Sequence, residues 1–355
     1  MVRQANDRPR EHLGGRFPAE LEAFCRELGQ PAFRGRQMAN WIWRQSATSF
    51  EEMTNLPASL RQQLDEVATV ELPTVLSQRS AISGDTTKLL LRLEDGETVE
   101  TVLLRHTYGN SLCLSTQVGC AMGCRFCASA IGGLVRNLAV HELAGQVRRV
   151  NRILDENRER PVTHIVLMGT GEPLSNYDNV LTFIRLVSSA HTLQISPRRV
   201  TLSTAGVVPG ICRLAGEGLP VTLAISLHAP NDTLRDQLVP LNRVYPVREV
   251  LSAARHYGET TGRRVTVEYA LIEGMNDRLD QARELAELLL GGQFHVNLIP
   301  LNPVDEYGWR GTGQQQQQAF LGVLQDLGLS ATIRREMGAD IDAACGQLRR
   351  GTTRG

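Results

Sequence analysis

The sequence predicts an α/β fold: an open barrel of six βα units behind a small helical module. Three observations predict it. From Leu112 to Leu327, short apolar runs alternate with amphipathic stretches of helical period. From Pro18 to about Val70 the spacing is helical. Between the two, residues 88–104 read as a hairpin around an Asp-Gly turn. Alternating strands and helices argue for right-handed βα units on a parallel sheet. Six such units leave a barrel open on one side, with room for a large substrate.

Length and composition set the outer limits. A chain of 355 residues with 42% hydrophobic content suits one large domain and a small one. Net charge is zero, so no global field draws it to nucleic acid. The basic residues are arginine apart from Lys88. Arginine suits bidentate phosphate contacts, and a codon bias accounts for it equally well. No apolar run is long enough to span a membrane, and the N-terminus lacks the apolar segment of a secretory signal. A cytoplasmic location is therefore expected. The seven cysteines are an odd number in a long chain, which argues against a secreted disulfide framework.

Residues 1 to about 14 are polar and read as loose. Leu21, Phe24, Cys25 and Leu28 recur at helical spacing, and Phe33, Met38, Trp41, Ile42 and Trp43 suggest a second helix. Ser49 followed by Glu52 reads as a capping box opening a third. Arg34, Arg36 and Arg44 beside Trp41 and Trp43 have the composition of an RNA-contacting face; the plainer reading is a solvated face over a tryptophan-bearing core. In the hairpin, alternation puts Glu100 on one face with Val102 and Leu104. A carboxylate on an apolar face marks a strand edge or a functional group, and the edge is the simpler expectation.

The expected barrel strands are Leu112–Gln117, His164–Met168, Val200–Ser203, Val221–Leu227, Val265–Ala270 and Val296–Leu301. The expected helices are Val140–Leu154, Asp178–Ser189, Val247–Tyr257, Ala282–Leu290 and Gln315–Leu327. The glutamine run Gln314–Gln318 falls in the last of these and carries no functional signal. In such folds chemistry gathers where the strands end.

Just after the first barrel strand lies Cys120-Ala-Met-Gly-Cys124-Arg-Phe-Cys127, spaced CxxxCxxC. A structural zinc site wants four protein ligands. Three thiolates from one loop suit a [4Fe–4S] cluster with one iron left open. A zinc loop with a distant fourth ligand and buried structural thiols are the plainer alternatives. Downstream, His164-Ile-Val-Leu-Met168 runs into Gly169-Thr-Gly-Glu-Pro173. Glycines there let backbone approach a ligand closely, and Glu172 offers a carboxylate to an ammonium. Ser203, Ser226-Leu227-His228 and Asn302 follow at three further strand ends. Each alone reads as a cap or turn residue; together they point to a cofactor cleft. Cys113 stands on the first barrel strand, and Cys345 stands among small residues near the C-terminus. Either alone reads as a small buried side chain.

The strings Cys113–Cys127, Met168–Pro173, Arg199–Gly206, Ala224–Asp232 and Asp340–Leu348 resemble the RlmN/Cfr family of radical S-adenosylmethionine (SAM) RNA adenine methyltransferases. The resemblance runs from about Gly29 to Leu348, and Gly29–Met38 and Thr54–Pro57 look like the family's accessory domain. It implies a partial TIM-type (βα)6 radical SAM barrel with a small helical N-terminal accessory domain. The implied division is a helical RNA-binding domain over 1–70, a β-hairpin extension over 71–105, the barrel with a C-terminal cysteine loop over 106–348, and a tail over 349–355.

The resemblance also implies roles. Cys120, Cys124 and Cys127 hold the [4Fe–4S] cluster, and Gly171, Glu172, Ser203, Ser226, Leu227, His228 and Asn302 contact SAM. Two SAM molecules serve each turnover: one methylates Cys345, and a second yields a 5′-deoxyadenosyl radical that activates the S-methyl group. The methyl carbon then joins the adenine, Glu100 accepts a proton, and Cys113 resolves the adduct by disulfide formation with Cys345. Carbon 2 of an adenosine in the peptidyl-transferase region of 23S rRNA is the expected target, because such housekeeping members are the commoner ones. Carbon 8, the antibiotic-resistance activity, is the alternative. An adenosine beside the anticodon in some tRNAs is the expected second substrate, with a flavodoxin-type electron donor and a monomeric protein. A zinc-dependent RNA-binding module and a radical SAM activase of a protein are the rivals from other classes. Many members carry Arg-Gly where this chain has Met337-Gly338, which bears on how the cysteine loop meets RNA.

Overall fold

The computed structural model describes residues 10–335 and 337–348. The expected tail, 349–355, and the first nine residues of the expected loose N-terminus lie outside the described residues. From Arg10 on, the loose reading is corrected. Strand β1 (Glu11–His12) pairs in parallel with β2 (Ala68–Thr69), and Leu13 is fully buried in the 3₁₀ turn that follows β1.

Three helices fill the space between those two short strands. Helix α1 (Pro18–Glu27) starts with proline in its first turn, where no N–H is missed, and Glu20 Oε2 accepts the Phe17 N–H at 2.7 Å. Helix α2 (Phe33–Arg44) buries Met38, Ile42 and Trp43 against Leu21 and Cys25 of α1. Helix α3 (Ala58–Val67) adds Leu60 and Leu64. It begins after Pro57, not at Ser49. Glu52 spends its carboxylate on the Thr48 N–H and hydroxyl and on Arg152 of the barrel, so the expected capping box is a turn. Trp43 is 1% exposed and belongs to the core, and the Trp41 Nε1–H donates to Asn55 Oδ1 at 2.7 Å.

The remaining chain builds one ten-stranded sheet. Strands β3 (Thr74–Ser80), β4 (Thr86–Arg92), β5 (Thr98–His106) and β6 (Gly109–Cys113) are antiparallel neighbours. The hairpin is therefore continuous with the barrel sheet. Here the edge expectation for Glu100 fails: β5 lies between β4 and β6, and Glu100 is 8% exposed. The true edge is β3, whose polar, exposed residues carry no apolar alternation.

The expected strand 112–117 divides in two. The sheet strand ends at Cys113, because Ser115 gives its N–H to Gln146 Oε1 and its hydroxyl to the Glu100 carbonyl. The chain then enters β7 (Gln117–Gly119), which pairs with β8 (Leu134–Asn137) in a separate small sheet that frames the cysteine loop. Next come α4 (Val140–Glu156), β9 (Val162–Leu167), α5 (Tyr177–Ser188), β10 (Val200–Thr204), α6 (Val208–Ala215) and β11 (Thr222–Ser226). They are followed by α7 (Asp232–Leu238), α8 (Val247–Thr261), β12 (Val265–Leu271), α9 (Leu279–Leu289), β13 (Phe294–Pro300) and α10 (Gln314–Asp326).

A short strand β14 (Ser330–Ile333), absent from the expected set, extends the parallel run beyond β13. The order β14-β13-β12-β11-β10-β9-β6-β5-β4-β3 does not close. Period-2 alternation decides which side chains leave each strand for the helices. On β12, Val265, Val267, Tyr269 and Leu271 are at most 1% exposed, while Thr266, Glu268 and Ala270 face the other way. Each fully buried apolar chain of this kind contributes about 1.5–3 kcal/mol.

Arg148 on α4 fastens the helical module to the barrel. Its guanidinium is fully buried and donates to the carbonyls of Ile42, Ala47 and Val70 at 3.0, 2.7 and 3.2 Å. Burial pulls its pKa down to about 9. Among the described residues no helix is long and apolar enough to cross a membrane.

Candidate active site

The three cysteines of the loop after β7 face one cavity at the C-terminal ends of the parallel strands. The Cys127 N–H donates to the Cys124 carbonyl at 3.2 Å, curling the loop, and the Arg125 N–H ties it to Leu238 O at 3.0 Å. Burial raises all three thiols, Cys120 to about 12. Such thiols become thiolates only in exchange for a strongly positive partner. No group of three or more His, Cys, Asp or Glu among the described residues is arranged to hold a single metal ion. A four-iron cluster asks for a different arrangement, in which each thiolate takes its own iron. The three-cysteine donor set opening on one cavity fits such a cluster.

Opposite the cysteines stand the strand-end residues. Gly171 has φ +113°, and a Cβ there would come within 2.7 Å of the Gln117 side chain. Only glycine lets this backbone cross so close beside the cysteine loop. Glu172 follows, 2% exposed. Its Oε1 accepts the Leu174 N–H at 3.0 Å and its Oε2 the Ala205 N–H at 2.7 Å. Burial nevertheless pushes its carboxyl up to about 7, the backbone donors offsetting part of the rise. A buried carboxylate held this way gains by accepting an ammonium with its remaining lone pairs. The hydroxyls of Ser203 and Ser226 lie 3.3 Å apart across β10 and β11.

His228 sits in the left-handed region at φ +58°, an unusual place for a side-chain-bearing residue. Its Nδ1 accepts the Ala270 N–H at 3.0 Å, and burial holds the imidazole down to about 3. The ring is therefore neutral with its proton on Nε2, a donor available to the cavity. Fully buried Asn276 holds the bend by donating to the His228 carbonyl at 2.8 Å.

Of the residues expected to contact SAM, Gly171, Glu172, Ser203, Ser226, His228 and Asn302 line the same cavity as Cys120, Cys124 and Cys127. Leu227 does not. Its side chain is buried in the core, and its carbonyl accepts from Arg235 Nε at 3.0 Å.

Asn302 also reaches the C-terminal loop, where its Nδ2 donates to the Cys345 carbonyl at 3.3 Å. That loop is pinned from several sides. The Ala128 N–H donates to Gly346 O at 2.7 Å, Ser129 Oγ to Leu348 O at 2.6 Å, and the Asp340 carboxylate accepts from Ile82 N at 2.9 Å. Gly338 has φ +72° and packs so tightly on Thr86 that a Cβ would sit 2.6 Å from its methyl group. Thus the glycine of the Met337-Gly338 pair is demanded by packing, while Met337 faces a second cavity.

This outer cavity has a volume of about 340 Å³ and contains both Cys113 and Cys345 in its lining. Cys345 borders both cavities and so stands between them. Both cysteines are thiols rather than a disulfide here. Burial pushes Cys113 up to about 12, with nearby Cys345 adding to the rise and Arg334 opposing it. Glu100 lies on the strand face that carries Val102 and Leu104 into the outer cavity. It pairs with Lys88 Nζ at 3.2 Å, both groups about 10% exposed.

Sequence reading missed four residues that shape the site. Glu268 on β12 lines the inner cavity, is raised by burial, and accepts from Asn297 Nδ2 at 2.8 Å. Alternation in Val265-Thr-Val-Glu-Tyr269 puts Glu268 on the face of Thr266 and Ala270, opposite the apolar one, so it lacked the signal that singled out Glu100. Arg334 borders both cavities. Arg235 is fully buried and ties the carbonyls of Ala205, Ser226 and Leu227 together, joining the ends of β10 and β11. Asn276 fixes His228. The last three act through contacts remote in sequence, which no local pattern announces.

Comparisons with known proteins agree with this architecture. Residues 13–70 match the ribosomal RNA large subunit methyltransferase N-terminal domain, and residues 114–289 match the radical SAM superfamily. The chain is 52% identical over 333 residues to a probable dual-specificity RNA methyltransferase RlmN of Pelotomaculum thermopropionicum, covering 94% of this chain and 89% of that one. It is 50% identical over 341 residues to the protein of the same description from Symbiobacterium thermophilum, covering 96% and 91%. The crystal structure of a radical SAM methyltransferase from Sphaerobacter thermophilus superposes with a TM-score of 0.93 at 44% identity, covering 96% and 99%.

Proposed function

The chain belongs to the RlmN family of radical SAM RNA methyltransferases, and from that premise we propose that it methylates carbon 2 of adenosine. The substrates are an adenosine in the peptidyl-transferase region of 23S rRNA and the adenosine 3′ to the anticodon in some tRNAs. As a radical SAM RNA methyltransferase it uses a [4Fe–4S] cluster and SAM.

In this reading Cys120, Cys124 and Cys127 hold the cluster. Glu172 takes the SAM ammonium, with Ser203, Ser226, His228 and Asn302 supplying further polar contacts. When bound, cluster and SAM supply a methyl group and a 5′-deoxyadenosyl radical. Cys345 carries the methyl group as a thioether, which gives up one hydrogen atom to that radical, and the carbon so freed bonds to the electron-poor adenine ring. Glu100 accepts the ring proton. The thiolate of Cys113 then attacks the Cys345 sulfur; the bond from that sulfur to the methylene carbon breaks, the carbon keeps the electron pair and takes up a proton to become the methyl group, and the two sulfurs are left as a disulfide. The reductant is of the flavodoxin type.

The observation that carries this reading is the position of Cys345, shared by the inner cavity of the three cysteines and the outer cavity of Cys113. A methyl carrier must meet a SAM site on one side and an RNA base on the other. The test is mass spectrometry of nucleosides from ribosomal RNA and tRNA of cells with and without the gene. Loss of 2-methyladenosine from both pools is expected. Loss of 8-methyladenosine instead, or no change in either nucleoside, overturns the reading.

A further inference from the structure

The outer cavity has an aromatic rim that neither the thiol chemistry nor the cofactor cleft uses. Tyr108 stands at the tip of the tight turn joining β5 and β6 and is 64% exposed. Its ring stacks on His106 with centroids 4.6 Å apart and planes 9° from parallel. His164 of β9 meets the same ring edge-on at 5.1 Å. Tyr108 and His106 both line the cavity that holds Cys113 and Cys345.

A single exposed tyrosine is ordinary. Two stacked rings on the rim of a reactive cavity, met edge-on by a third behind them, form a built surface. Two arginines border the same cavity, Arg334 inside and Arg335 at the exposed mouth, where it is 84% exposed and 3.7 Å from Asp85. Burial, opposed by Asp85 and reinforced by Arg334 and Arg335, holds His106 below its usual pKa, so at neutral pH the stack is uncharged. An aromatic face beside guanidinium groups suits a nucleotide: the ring takes the base and the cation takes the phosphate.

We propose that the His106–Tyr108 stack is a platform for a nucleobase of the RNA that flanks the methylated adenosine. The inference rests on the reading of the outer cavity as the site of RNA methylation. The platform holds the strand in register while the target base enters towards Cys345. It works through stacking, so it accepts different bases and suits an enzyme with two RNA substrates.

The test uses the cluster-loaded protein and an RNA hairpin with the target adenosine, in which 2-aminopurine replaces the neighbouring nucleotide. Stacking on tyrosine quenches 2-aminopurine, so the wild type is expected to quench its fluorescence on binding. Tyr108→Ala is expected to lose the quenching and to raise KM for the unlabelled hairpin about tenfold, as expected for removing one base–aromatic stack. The loss falls on KM rather than on kcat, and Tyr108→Trp keeps both quenching and KM. Equal KM and equal quenching in wild type and Tyr108→Ala overturn the platform alone. A wild type that does not methylate the hairpin removes the reading beneath it, and the platform falls with it.

Discussion

The ammonium of Lys88 lies 3.2 Å from the carboxylate of Glu100 and donates at 2.9 Å to the carbonyl of Asp342. The two side chains are diagonal neighbours across β4 and β5, and Asp342 lies three residues before Cys345. The chain's single lysine therefore links the proposed proton acceptor to the loop of the proposed methyl carrier. Lys88→Met removes one partner of a buried ion pair and is expected to cost about 3 kcal/mol of stability. Thermal unfolding of Lys88→Met, Glu100→Gln and the double variant separates pairing from chemistry. The double variant regains most of the lost stability but not the methylation rate. Full turnover by Glu100→Gln would falsify the assignment of Glu100.

Arg148 offers a test of how the helical module is attached. Its three hydrogen bonds reach Ile42, Ala47 and Val70, all in the module or at its exit. Arg148→Met keeps most of the volume but strands buried carbonyls, each costing about 1–3 kcal/mol. Limited proteolysis is expected to cut the variant in the connection near residues 70–74 at a protease concentration that spares the wild type. Equal cleavage would show that the remaining contacts, apolar packing and the Arg152–Glu52 pair among them, hold the module without Arg148.

The pair His12–His141 predicts a pH dependence. The rings stack at 4.2 Å. His12 Nδ1 accepts the Gly14 N–H while its Nε2 donates to the Glu71 carbonyl, which commits it to the neutral form. Burial, then His141, then Arg148 hold it down to about 3. Between pH 6.5 and 3 the unfolded chain binds a proton here that the folded chain refuses. This contribution to stability is fully present above pH 6.5 and is lost as pH falls towards 3. The difference in unfolding midpoint between wild type and His12→Gln is expected to shrink steadily from pH 7 to pH 4.5. A constant difference would contradict the assignment.

Much of this fold could be read from the chain because its central strands are buried on both faces. Runs such as Val221–Leu227 and Val265–Ala270 announce themselves by apolarity alone. Within the ten-stranded sheet, the strands that went unread are the two edges. β3 is polar because it faces solvent, and β14 is four residues long. The site divided along the same line. Residues clustered in short strings, such as Cys120–Cys127 and Gly169–Pro173, stood out. Arg235, Asn276 and Arg334 did not, because each acts on groups from neighbouring strand ends that the fold, and no short string, brings together. Glu100 was visible as an anomaly that alternation alone reads as an edge residue and the family resemblance as the proton acceptor; a single strand does not show the Lys88 ammonium 3.2 Å from it.

The central claim is that Cys345 carries the methyl group between the two cavities and that Cys113 releases the product. Its most direct test is mass spectrometry of the Cys345 peptide from the Cys113→Ala variant after incubation with reductant, SAM and an RNA substrate. The account predicts that this peptide carries both an added methylene and the covalently attached nucleotide, because no second sulfur is present to free it. An unmodified Cys345 in a variant that still methylates RNA would contradict it.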